Sequence, residues 1–363
     1  MPAEGPRSRS RLPVVPGRGT TSPNPPVGAV ILDTAGEVVG VGATSPVGGP
    51  HAEVNALAAA GERARGGTAV VTLEPCNHTG RTGPCSEALL AAGIAEVVYV
   101  FADPGAAAGG GGDRLRRAGV TVTGPLVTAS TDLAGVPQFS VEPWLAAQRL
   151  GRPHVTLKYA GTLDGFAAAT DGTSQWITGE AARARVHLDR SRRDAILVGT
   201  GTVRADDPRL TARRPDGGLY DHQPVRVVVG PARVAGPPGG GPPPPPGGGG
   251  GGGRPGVRAD AAVLPALRYR DEGLPEVLAD LWDRGVVDLL VEGGPHVAAS
   301  FIAADLVDAV DAYTAPALLG AGIPVVAPGP HMSTTMAGIR RFTLRSVEAL
   351  GGDVVSVAVR GRP

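Results

Sequence analysis

Two short stretches hold the residues best suited to chemistry. H-A-E at 51–53 supplies His51 and Glu53, and L-E-P-C-N-H-T-G-R-T-G-P-C at 73–85 supplies Cys76 and Cys85, the only cysteines in the chain. One imidazole and two thiolates make three metal ligands and leave a fourth position for water, which is the donor set of a hydrolytic zinc. A carboxylate that is not a ligand must then carry the proton, and Glu53 stands two residues after the histidine, where it can. A closed structural zinc, with His78 as fourth ligand, is the competing arrangement, as is a pair of buried free thiols.

The order H-x-E, then P-C, then a second cysteine is a pattern of zinc deaminases, although the usual P-C-x-x-C spacing is here widened to nine positions. Residues 51–60 are rich in helix formers and stop at Gly61, so His51 and Glu53 are expected in a first helical turn. Pro84 and Cys85 open a second helix that stops at Gly93. A cysteine at a helix N-terminus has its thiol pKa lowered, which favours the metal-binding thiolate.

The elements that must position these residues alternate. Runs at 27–32 and 37–43 read as a hairpin, and 68–73 and 96–101 read as buried strands. Helices fall between them, a helix over 113–118 and a strand over 120–122 close the unit, and the pattern predicts an α/β/α domain with a mostly parallel sheet. A helix over 144–150 leads to a second alternating run: strands at 154–160, 194–200, 224–229, 286–291, 306–315 and 353–359. Its helices are expected from a Thr178 N-cap, over 275–284 and over 296–303, with 201–208 as a loop.

The chain has 363 residues, 42% of them hydrophobic, so two cored domains are expected. Equal numbers of basic and acidic residues, 34 of each, do not steer it toward nucleic acid or an anionic membrane. No run reaches the ~20 apolar residues of a membrane span. Two cysteines at metal-like spacing fit a reducing compartment, and a cytoplasmic protein is expected. Gly (56) and Pro (36) are abundant, and 236–256 is all Gly or Pro except Arg254, a tract with little to bury.

A second constellation lies in the later half. Strand, then E-G-G-P at 292–295, then helix outlines a phosphate cradle, because glycines admit a close backbone and the helix N-terminus offers free N–H groups. G-T-G-T-V-R at 199–204 follows another strand and is a second candidate cradle. With Trp176, Arg190 and Arg213, these turns suggest a pocket for a phosphorylated substrate and a dinucleotide.

Taken together, the motifs resemble a known family. S-P-N-P-P-V-G-A-V, H-A-E-V-N-A, V-T-L-E-P-C-N-H-T-G-R-T-G-P-C, L-K-Y-A-G-T-L-D-G, W-I-T-G-E-A-A-R, V-G-T-G-T-V-R-A-D-D-P-R-L-T and V-E-G-G-P are similar, in order, to the bifunctional riboflavin-biosynthesis enzymes. In these a pyrimidine deaminase is fused to a pyrimidine reductase. The likeness spans residues 20–235 and 274–360, and the wide cysteine spacing is that family's own.

The resemblance implies an α/β protein: a cytidine-deaminase-like α/β/α domain over 23–148, then a dihydrofolate-reductase-like α/β domain over 152–363. Residues 1–22 would be a disordered N-terminus and 236–256 a low-complexity insert. The implied function is zinc-dependent hydrolytic deamination of 2,5-diamino-6-(5-phosphoribosylamino)pyrimidin-4(3H)-one, then NADPH-dependent reduction of its ribosyl group to ribityl. His51, Cys76 and Cys85 would hold one Zn2+, Glu53 would be catalytic, and Asn24, His78 and Arg81 match deaminase substrate positions. Ala160, Trp176, Thr202, Asp206, Gly294, Pro295, His296, Val297, Ala298, Ala299 and Ser300 match the NADPH site. Ser174, Arg190, Leu210, Arg213 and Glu292 match the ribosyl-phosphate site, with Lys158 and Asp206 candidates for charge and proton handling.

The expected partner is a small phosphoribosylaminopyrimidine, with no nucleic acid or membrane and homo-oligomers formed through the reductase domain. The chain departs from the family in its proline-broken N-terminus, in the Gly/Pro tract, and in Phe166, where a basic residue is usual. The Gly/Pro tract motivates one alternative, a deaminase whose second domain no longer reduces and only binds or dimerises. The zinc pattern itself allows another, a nucleic-acid base deaminase.

Overall fold

The computed structural model describes residues 18–79, 83–105, 108–128, 130–135, 138–230, 266–329, 332–333 and 335–361. The Gly/Pro insert 236–256, Arg81 and most of the 1–22 segment lie outside the described residues. By their contacts the rest divide into two compact units, one built on Pro25–Thr128 and the other on Ser22–Asn24 with the chain after Thr128.

In the first unit a tight turn forces β1 (Gly28–Leu32) and β2 (Val38–Ala43) into an antiparallel hairpin, closed by the Asp33 side chain accepting from Ala35 and Glu37 amides. Helix α1 (Ala52–Ala60) follows. It lies hard against β2, since a Cβ on Gly40 or Gly42 would stand 2.2 Å from the carbonyl oxygen of Ala56 or Ala52. Only glycine permits that approach, and it fixes the height of the helix start. Strand β3 (Thr68–Leu73), α2 (Cys85–Ala91), β4 (Glu96–Phe101), α3 (Gly111–Arg117) and β5 (Thr121–Thr123) complete the unit. The sheet order is β2-β1-β3-β4-β5. Only β3–β4–β5 is parallel, so the sheet is mixed rather than mostly parallel; the hairpin has no crossover helix, and β1 also runs antiparallel to β3.

The second unit opens with α4 (Glu142–Leu150), where Trp144 Nε1 donates to the Pro23 carbonyl and Glu142 takes two hydrogen bonds from Arg345. Then come β6 (His154–Thr162), β7 (Phe166–Ala168), α5 (Glu180–Arg190), β8 (Ala195–Gly199), α6 (Thr200–Asp206), β9 (Val225–Val229) and β10 (Leu267–Tyr269). They are followed by α7 (Leu274–Asp283), β11 (Asp288–Val291), α8 (Pro295–Ala303), β12 (Ala309–Ala315), β13 (Ile323–Pro324), β14 (Phe342–Leu350) and β15 (Asp353–Arg360).

Eight strands form one sheet, β10-β9-β8-β11-β6-β12-β15-β14, parallel from β10 to β12 and antiparallel beyond. Helix α7 buries Val277, Leu278 and Leu281 against Val155, Leu197, Leu289 and Phe301. The stretch expected as a loop over 201–208 is instead α6, capped by Gly199 rather than by a side chain and holding Val203 in the core. Helix α5 is preceded by Gly179, not Thr178, and its cap is unconventional: the Gly179 amide donates to Asp353 at 2.6 Å.

Candidate active sites

In the first unit three turns converge. His51 is the residue before α1, so it caps the helix rather than sitting within its first turn, and Glu53 is the second helical residue. Cys76 lies in the turn leaving β3, and Cys85 opens α2. His51 Nδ1 is 3.6 Å from Cys76 Sγ and 3.3 Å from Cys85 Sγ. Two ligands on one tetrahedral zinc, at the usual Zn–N and Zn–S lengths, stand roughly 3.6 Å apart, so the three donor atoms fit the ion. They all lie within 4.8 Å of one another and form the sole such group among the described residues. His78 is exposed and not among them, which leaves the fourth position open rather than closed.

The turns are held from behind. The Cys85 amide donates to Cys76 Sγ at 3.3 Å, and the Ser86 amide and hydroxyl reach the Cys76 carbonyl and the Asn77 side chain. Glu74 Oε1 accepts from the amides of Gly110 and Gly112, and a Cβ on Gly111 would stand 1.8 Å from the Pro75 carbonyl oxygen. Helix α3 is thus seated directly on the first cysteine turn. The hydrogen bond from Cys85 draws the Cys76 thiol well below the usual thiol range, while the same bond pushes Cys85 up. These three side chains would hold a divalent cation through the thiolate form of the cysteines.

Glu53 is 4% exposed. Burial pushes its carboxyl up to about 7, with the nearby Cys76 acting in the same direction. A carboxyl poised there takes and returns a proton at neutral pH. Asn24 lies half-buried in the turn before β1 and counts with the second unit, and Arg81 is outside the described residues.

In the second unit the two glycine-rich turns leave the carboxyl ends of β8 and β11, which are adjacent parallel strands. That is where open α/β sheets bind ligands. Gly294 donates its amide to Thr202 Oγ1 at 3.2 Å, and Val297 fills the space that a Cβ on Gly199 or Gly293 would need. Pro295 has no N–H, and the first bond of α8 runs from Ala298 to Gly294, so the amides of His296 and Val297 precede the helical ladder. This end suits an anion such as a dinucleotide phosphate. Of the remaining matched positions, Ala160 is half-buried on β6, Asp206 is exposed at the end of α6, Ala298 is buried, and Ala299 and Ser300 follow along α8. Trp176 is 69% exposed, with the Arg183 guanidinium 4.3 Å from its ring.

Beside these turns lies a buried charge cluster. Arg190 grips Glu292 through two hydrogen bonds of 2.8 Å, Lys158 Nζ stands 3.9 Å from the same carboxylate, and Arg213 reaches His187 at 3.2 Å. The structure therefore gathers Lys158, Arg190, Arg213 and Glu292, while Ser174 stays on the exposed turn before α5. Leu210 points its side chain into the core with Ile196 and Val198, so only its backbone, at φ 55, is offered to a ligand. His187 was not singled out from sequence; its signal was its place three residues before Arg190 on one helix face.

Burial would push Glu292 up, but the Arg190 charge and hydrogen bonds, with Lys158, hold it at about 2. A carboxyl depressed in the fold from an ordinary 4.5 adds stability that is complete above that pH and lost as pH falls toward 2. The loss is on the order of 3 kcal/mol. Denaturant unfolding between pH 5 and 2 should therefore show less acid sensitivity in the double variant Arg190→Leu/Glu292→Leu than in the parent. Parallel losses in the two would contradict the pairing.

Residues 14–101 match the family described as the cytidine and deoxycytidylate deaminase zinc-binding region, and residues 153–234 and 262–356 match the RibD C-terminal domain. A riboflavin biosynthesis protein RibD of Corynebacterium ammoniagenes is 49% identical over 92% of this chain and 91% of its own length. That of Escherichia coli is 37% identical, over 93% and 94%. A Thermotoga maritima crystal structure, described as a diaminohydroxyphosphoribosylaminopyrimidine deaminase/5-amino-6-(5-phosphoribosylamino)uracil reductase, superposes with a TM-score of 0.75. It is 30% identical and covers 95% of this chain and 94% of its own. Acinetobacter baumannii RibD superposes with a TM-score of 0.73 at 31% identity, covering 96% of each chain.

Proposed function

The chain belongs to the RibD family, the bifunctional deaminase/reductases of riboflavin biosynthesis, and on that footing we propose which residues perform each reaction and on what. The first unit hydrolyses the amino group of the diaminopyrimidine ribosyl phosphate, and the second reduces the deaminated product's ribosyl group with NADPH. The convergence of His51, Cys76 and Cys85 around one point, with Glu53 buried beside it, carries this reading.

A zinc ion held by those three side chains supplies Lewis acidity that brings a water molecule's pKa toward neutrality. Glu53 accepts the water proton on its carboxylate and returns it to the departing amino group as ammonia leaves. Asn24, His78 and Arg81 are assigned to the pyrimidine and its phosphoribosyl group.

NADPH, when bound, supplies the hydride that converts the ribosyl C1′ to the ribityl carbon. The helix start from Gly294 to Ser300, with Thr202, receives its phosphates, and Ala160, Trp176 and Asp206 flank it. Ser174, Leu210, Arg190, Arg213 and Glu292 bind the ribosyl phosphate. Arg190 grips Glu292 through two hydrogen bonds, and Arg213, which matches the same site, is assigned to the phosphate itself. Burial lowers the Lys158 ammonium, which suits a group handling a proton beside the opening sugar.

We also place the protein in the cytoplasm and assign self-association to the second unit. Among the described residues no helix is long and apolar enough to cross a membrane, and edge strand β14 exposes Leu344 and Val347.

The separate sites give a direct test. Gly294→Val places a branched side chain at the phosphate-binding turn and should raise the KM for NADPH at least about tenfold, leaving ammonia release unchanged. An unchanged KM would remove this turn from the cofactor site.

A further inference from the structure

We propose that His187 is a positioning residue for the reductase half, a neutral acceptor that fixes the Arg213 guanidinium where the substrate's phosphate binds. The inference rests on the assignment of Arg213 to that phosphate.

The ring's two contacts determine its hydrogens. His187 Nδ1 lies 3.0 Å from the Thr211 carbonyl oxygen, and a carbonyl only accepts, so Nδ1 carries the hydrogen. Nε2 lies 3.2 Å from Arg213 Nη2, and a guanidinium only donates, so Nε2 must present its lone pair. An imidazolium could satisfy the first contact but not the second. His187 thus ties α5 to the 211–213 segment at two points. Arg213 Nη1 also donates to Thr211 Oγ1, so the guanidinium is gripped from two sides.

The charges around the ring agree with this geometry. Arg190 faces it from its own helix, Arg213 from the segment after α6, and Glu292 from the end of β11. Burial first, and then the two arginines, hold the imidazole down at about 4, with Glu292 opposing. His187 is therefore neutral throughout the physiological range.

A neutral acceptor suits this place for a physical reason. Ordering a long arginine side chain before the ligand arrives removes its rotamer-entropy cost from binding. A carboxylate would order it equally well but would cancel the charge the phosphate needs. In the cluster Arg190 pairs with the Glu292 carboxylate, and Arg213 donates to the His187 ring.

Steady-state reduction of the deaminated phosphoribosyl substrate by the full-length protein tests this. His187→Leu should raise the substrate KM by about tenfold, with kcat and the KM for NADPH little changed. His187→Gln, whose amide can accept from Arg213 and donate to Thr211, should recover most of the loss. In an Arg213→Leu background His187→Leu should add nothing. Equal defects in the Leu and Gln variants, or a full additional loss in that background, would overturn the proposal. Should Arg213→Leu raise KM while His187→Leu does not, the inference fails and the phosphate assignment stands. If Arg213→Leu leaves KM unchanged, both fall. Nitrogen-15 NMR of the folded parent gives a readout free of activity. The His187 ring should keep hydrogen on Nδ1 and not on Nε2 from pH 8 to 5; titration near the ordinary 6.5, or hydrogen on Nε2, overturns the proposal.

Discussion

Glu53→Gln is expected to keep zinc at parental stoichiometry and to lose ammonia release by at least about a hundredfold, the lower end of what a positioned general acid–base contributes. The substitution preserves size and the helix turn, and Glu53 is not among the three atoms that could ligate the ion. What it removes is a carboxylate able to take the water's proton, since a carboxamide has no basic site at neutral pH. The loss should be larger than for any surface change, because the side chain is buried beside the cysteines with no second carboxylate in the ligand cluster among the described residues. Metal analysis and ammonia release on one preparation decide it. More than about a hundredth of parental turnover in a zinc-replete variant would assign the proton shuttle elsewhere.

Cys85→Ser should remove metal and deamination together. Each thiolate is one of the three proposed ligands, and the backbone amide that donates to Cys76 Sγ is kept in serine, so the substitution removes a ligand without unmaking the turn. A serine hydroxyl is a poor zinc donor at neutral pH because it stays protonated where a thiol does not. Metal binding is linked to folding, so the first unit should also lose thermal stability that added zinc cannot restore in the variant. Reduction of pre-deaminated substrate should persist, because no matched reductase residue lies in the first unit. Full zinc occupancy in purified Cys85→Ser would refute the ligand set.

How much of this was readable beforehand differs by site. The convergence of His51, Cys76 and Cys85 was legible because ligand chemistry restricts residue type: two cysteines in the chain, each preceded by proline and one opening a helix, admit few other uses. The apolar runs of β8 and β11 were legible because every residue in them is buried, and those of β3 and β4 because buried residues alternate with half-buried ones. Helix α6 was not. T-G-T-V-R-A-D has two β-branched threonines and a glycine, and what makes it helical is Val203 seated in the core above β8 and β9, a tertiary cause. Strand β14 was missed because its inward residue is Arg345, 1% exposed and satisfied by Glu142 from α4, so the expected alternation of apolar and polar is inverted there. The roles inside the charge cluster were also hidden. Arg190 and Arg213 look equivalent in the sequence, and only the fold shows that one donates to Glu292 and the other to His187.

The central claim is that one chain performs both reactions in order, despite the Gly/Pro tract at 236–256 and Phe166. Incubating the full-length protein with the diaminopyrimidine ribosyl phosphate, with and without NADPH, and identifying the products by mass tests it most directly. Without NADPH the product should be the deaminated ribosyl compound with one equivalent of ammonia released. With NADPH it should be the deaminated ribityl compound, with one NADPH oxidised for each ammonia formed. Deaminated product that stays unreduced in the presence of NADPH, or substrate that keeps its amino group in zinc-replete protein, would contradict the account.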